Sequence, residues 1–71
     1  MDKAEIHSSI ALKTFLAEEK VLRLAEAGGV QATLVETRFE KGGQWINDFE
    51  IEGSTGKIEA FLRRVKDIET R

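Results

Sequence analysis

The chain has no cysteine and no proline, and histidine occurs once, as His7. Without cysteine it holds no disulfide and no thiolate metal site, and the redox compartment stays open. No apolar run approaches the length needed to span a bilayer. The opening residues Met1-Asp2-Lys3-Ala4-Glu5 lack the apolar core of a secretory signal, so a cytoplasmic setting and no membrane partner are expected. No linker, internal repeat or low-complexity tract divides the 71 residues, which hold a single domain with a modest core. Eleven basic residues stand against thirteen acidic, a net charge of −2 that argues against a dedicated nucleic-acid binder.

What is present is organised around residues 30–53, two runs of alternating apolar residues flanking Gly42-Gly43. A two-residue Gly-Gly loop suits a type I′ turn, because both central residues then need positive φ. That turn pairs Lys41 with Gln44, Glu40 with Trp45 and Phe39 with Ile46. Further down it pairs Glu36 with Phe49, Leu34 with Ile51 and Ala32 with Gly53. Alternation then puts Val30, Ala32, Leu34, Phe49, Ile51 and Trp45 on one face, with Glu36, Arg38, Glu40 and Asn47 toward the turn. The other face carries Thr33, Val35, Thr37, Phe39 and Ile46 with Asp48, Glu50 and Glu52. The first is the better core face.

Residues 1–8 are polar apart from Ile6 and read as a flexible N-terminal segment preceding a domain over 9–71. Residues 9–27 admit two readings. As one helix, their apolar residues surround the axis. Split near Leu16, residues 9–16 alternate as a strand, and 18–27 gather Glu19, Lys20, Arg23 and Glu26 opposite Val21, Leu22, Leu24 and Ala25. The split reading is favoured. Gly28 is the expected left-handed cap. The clearest element is the last helix: Ile58, Phe61, Leu62, Val65 and Ile68 recur at helical spacing, with Ser54 or Thr55 as N-cap. Residues 66–71 either continue it or form a short final strand.

The expected fold class is α+β: a two-layer, ferredoxin-like split βαβ read as β-α-β-β-α, with the last strand short or missing. A right-handed crossover from the first strand would run it parallel to a hairpin strand, with both helices on one sheet face. The chain resembles ACT-type regulatory domains and the related NIL-type domains of methionine-transporter ATPases. The resemblance lies in Ala27-Gly28-Gly29-Val30, and in Phe49-Glu50-Ile51-Glu52-Gly53 followed by Lys57-Ile58-Glu59-Ala60-Phe61-Leu62. It implies dimers formed through sheets or helices. For many members it also implies an amino acid held near the loop after the first strand. Here that loop is Ala17-Glu18-Glu19, without the usual Gly or Pro.

Each candidate site has a plainer competitor. Gly53-Ser54-Thr55-Gly56-Lys57 looks like a phosphate loop, yet two residues rather than four separate its glycines and Ile58 follows the lysine. A capped strand-to-helix turn is expected, with a weak anion site on Ser54, Thr55, Gly56 and Lys57 as the alternative. His7 lacks partner ligands for a metal. Glu36 and Glu40 share a face with Arg38 and Asn47, which cross-strand pairing explains more simply than catalysis. Phe39, Trp45 and Phe49 raise base stacking, but the first lies opposite the other two and Asp48, Glu50 and Glu52 repel phosphates. The basic set Lys57, Arg63, Arg64, Lys66 and Arg71 is interleaved with Glu59, Asp67 and Glu69.

The sequence thus points to a non-enzymatic regulatory or interaction module without a cofactor. It self-associates as a dimer or larger through Val35, Phe39, Ile46 and Trp45, with a small metabolite as a conceivable ligand. A nucleic-acid-binding helix face is the alternative. A designed scaffold is another, since zero proline, zero cysteine and a Gly-Gly hairpin fit one.

Overall fold

A computed structural model describes residues 7–71. The first six positions of the expected flexible segment fall outside the described residues, whereas His7 and Ser8 open a strand. The elements run β1 (His7–Thr14), α1 (Glu18–Gly28), β2 (Gln31–Glu40), β3 (Gln44–Ser54) and α2 (Thr55–Glu69). The sheet is antiparallel, in the order β1-β3-β2. The outer strands therefore share a direction with β3 between them: β1 runs parallel to the hairpin strand β2, as expected of the crossover, while its hydrogen-bonded neighbour is β3. Among the described residues no strand follows α2, and the tail continues the helix.

Residues 9–27 divide into strand and helix because their apolar period changes. In β1, Ile10, Leu12 and Thr14 turn toward the helices, and Ser9, Ala11 and Lys13 are exposed on the other face. In α1, Val21 and Ala25 lie four apart and are both buried, with Glu18 and Glu19 at the N-terminal end of the helix dipole. The cap falls at Gly29, with φ 74°, and not at Gly28. Gly29 N–H donates to Glu26 O and Val30 N–H to Ala25 O, a Schellman arrangement that also brings Val30 onto Ala25 in the core.

The hairpin register corrects the expected one. Glu40 pairs with Gln44, Phe39 with Trp45 and Arg38 with Ile46. The loop holds Lys41, Gly42 and Gly43: Gly43 N–H donates to Glu40 O, and of the two glycines only Gly43, at φ 80°, is left-handed. This is a type I turn closed by a left-handed glycine, not a two-residue type I′ turn. Relative to expectation, each β2 residue near the tip meets a partner one position earlier. A one-residue slip exchanges the faces of one strand against the other. Between Leu34 and Glu36 the ladder slips again, at a bulge formed by Val35, so Leu34 pairs with Phe49 and Ala32 with Ile51. Two slips restore the original faces. Ala32, Leu34, Phe49 and Ile51 thus share the helix-facing side as expected, while every pair at the tip is changed.

α2 begins at Ser54, whose hydroxyl accepts from Lys57 N–H at 3.4 Å and settles the choice of N-cap against Thr55. Its Ile58, Phe61 and Val65 face the sheet. α1 packs on β2, α2 packs on β3 and β1, and the helices touch each other. The core joins Leu16, Val21, Ala25 and Val30 to Phe49, Ile51, Ile58, Phe61 and Val65. Full burial of each large side chain is worth about 1.5–3 kcal/mol.

Candidate functional site

β1 stops at Thr14, opposite Asn47, where the chain leaves the sheet for α1. Beyond that point β2 and β3 pair only with each other and form a two-stranded arm. Thr14 is 2% exposed; its hydroxyl donates to the Glu69 carboxylate at the end of α2 and accepts from Leu16 N–H at 3.2 Å. Asn47 fastens the arm to this corner: its amide donates to Leu16 O at 2.9 Å and accepts from the Thr37 hydroxyl at 2.8 Å. A buried hydroxyl and an anchored amide thus fix the base of the arm.

On the helix side of the arm, Phe39 and Trp45 lie directly across from each other with ring centroids 5.0 Å apart and planes at 65°, an edge-to-face contact. Neither helix covers them, and they are 61% and 60% exposed. This overturns the placement of Phe39 with Ile46 on the face opposite Trp45; Trp45 keeps the face expected of it, but exposed beyond the core. Val35, 65% exposed at the bulge, and the half-buried Ile46 belong to the other face. The four expected interface residues therefore divide into two pairs on opposite sides of one hairpin.

That other face is charged toward the tip. Arg38 forms a fork with Asp48, both contacts at 3.1 Å, and also donates to Glu40 at 2.8 Å. Hydrogen bonding to Asp48, then its charge, hold the Arg38 pKa above its ordinary value; Glu40 and Glu36 add smaller pulls against slight desolvation. Lys13, Arg38, Glu40, Gln44 and Ile46 rim a shallow open groove there. Asn47 is on the helix side, so the expected grouping of Glu36, Arg38, Glu40 and Asn47 on one face does not form. Closer to the other end, Ser9 donates to Glu50 at 2.9 Å.

The Gly53–Lys57 turn binds itself. The Ser54 cap occupies Lys57 N–H, and Thr55 Oγ1 lies 2.8 Å from Ser8 Oγ, tying α2 to β1. The Lys57 side chain leans over the end of α1, where a Cβ added to Gly29 would lie 3.5 Å from its Nζ. α1 has no basic residue in its own last turn, so Lys57 brings a cation to the negative end of that helix dipole. Gly56 is exposed. In α2, Arg71 pairs with Asp67 at 2.8 Å, while Arg63, Arg64 and Lys66 are exposed.

Among the described residues, no cluster of three or more His, Cys, Asp or Glu side chains could hold a metal, and no helix is long and apolar enough to cross a membrane. His7 is an exposed residue of β1. Compared with protein-family models, with curated proteins and with solved structures, the chain matches none.

Proposed function

We propose that this chain is a non-enzymatic interaction or regulatory module that self-associates through its β-sheet. The strand order β1-β3-β2, with helices on one side, supports reading it as a ferredoxin-like, ACT-like arrangement with its last strand missing. The observation that carries the proposal is where apolar surface is left open. Val35, Phe39 and Trp45, at 60–65% exposed, all lie on the β2–β3 hairpin, while the most exposed large apolar residue of either helix is Leu22 at 40%. Exposed apolar surface gathered on one element marks a contact surface. A small metabolite held between subunits is the ligand class such a module would take.

Trp45 is the only tryptophan, so its fluorescence reports directly on the arm. Raising the concentration through the micromolar range is expected to shift its emission to the blue as light scattering registers a dimer or larger species. A monomeric particle with unchanged emission throughout that range refutes the proposal.

A further inference from the structure

We infer that the outer edge of β1 is the seat of a second copy of this chain, joined antiparallel across a two-fold axis at Ala11. The inference rests on the self-association reading for the identity of the partner, but it names an interface outside the β2–β3 hairpin.

The two edges of the sheet differ. β2 is broken by the bulge at Val35 and carries Glu36, Arg38 and Glu40, features that discourage strand addition. β1 is eight residues long, its ladder with β3 has no irregularity, and Lys13 is its one lysine or arginine. Among the described residues no strand pairs with its outer edge. Unpaired backbone donors and acceptors along such an edge are a template for another strand.

The side chains then select the partner. Antiparallel pairing of identical edges places the two-fold perpendicular to the sheet, so both helix layers lie on one side and helix-facing residues must meet helix-facing residues. Centred on Ala11, the half-buried Ile10 of each copy meets Leu12 of the other, and the two alanines meet each other on the opposite face. Lys13 meets Ser9, whose hydroxyl already holds Glu50. Lys13 makes no ion pair within its own chain among the described residues, and this register brings it within reach of Glu50 of the second copy, twice by symmetry. Centred instead on Ile10, the edge would set Leu12 against Ser8 and Lys13 against His7 and lose both matches. The register centred on Ala11 is thus the one that joins Ile10 to Leu12 and also brings Lys13 to Glu50.

The test uses the absence of native cysteine. Ala11→Cys places a thiol at the axis, where paired strands hold Cα atoms about 4.5–5.5 Å apart, within disulfide range. Mild oxidation is expected to link it into a covalent dimer about tenfold faster than Thr33→Cys, an exposed control on β2. Lys13→Glu is expected to weaken the non-covalent dimer about threefold or more, and Lys13→Glu with Glu50→Lys to recover it. Circular dichroism checks that each variant is folded. If scattering shows a dimer but the Ala11→Cys chain links no faster than the Thr33→Cys chain and Lys13→Glu leaves the dimer unchanged, the edge assignment is wrong and self-association by another surface stands. If scattering shows only monomer, both readings fall.

Discussion

At the scale of single residues, the two adjacent glycines of the hairpin are not equivalent. A type I′ loop would need positive φ at both. In the three-residue loop only Gly43 is left-handed, and Gly42 faces open space. Gly43→Ala is therefore expected to cost about 1–2 kcal/mol in urea unfolding, and Gly42→Ala close to nothing. Equal losses would restore the two-residue loop. Thr14 offers a second test. Thr14→Val keeps the shape but leaves the buried Leu16 N–H without its acceptor and Glu69 without its donor. A loss of about 1–3 kcal/mol is expected in the same measurement. Neither detail was legible in the sequence. Gly-Gly serves both loops, and they differ only in backbone angles. Thr14 sits at an alternating position like any other strand threonine, and its partner Glu69 is remote in the chain.

At the scale of elements, periodicity carried most of the information. Ile58, Phe61 and Val65 located α2 and its buried face, because a helix one stripe wide on a sheet leaves little choice of phase. The end of α1 was harder to read, since Gly28 and Gly29 both suit a left-handed cap. The helix ends where Val30 can fold back onto Ala25, one residue later than expected. The hairpin kept its core face because the Val35 bulge, which the sequence does not mark, offsets the slip at the loop, and it lost its tip register because that loop holds three residues and not two. Phe39 against Trp45 was missed as a direct result. The α2 cap is open to test. Ser54→Ala is expected to lower stability by about 0.5–1 kcal/mol, at the low end for a cap because the bond is long, with the loss seen in thermal unfolding by circular dichroism.

At the scale of the whole molecule, the two layers and the bare arm separate stability from the proposed association. Phe61 is 1% exposed at the centre of the core. Phe61→Ala is expected to remove about 3–5 kcal/mol, enough to unfold much of so small a domain. Phe39→Ala removes a side chain already mostly in water. It is expected to leave the circular dichroism spectrum unchanged while weakening any association made through the arm, read as a smaller concentration-dependent blue shift of Trp45. A self-associating chain should also melt at a higher temperature as its concentration rises, by mass action. The sheet edges were the least legible level, because alternation shows which side chains share a face and not which strand edge lacks a neighbour.

The Val35 bulge makes one shortened chain informative. Excising this codon alone removes the unpaired residue and leaves every other cross-strand couple intact, because Leu34–Phe49 and Glu36–Asp48 become successive rungs. Such a deletant should fold with its interior unchanged. Its β2 margin, however, would then run straight and regular, and the shortened protein should form thioflavin-positive fibrils where the parent chain stays clear.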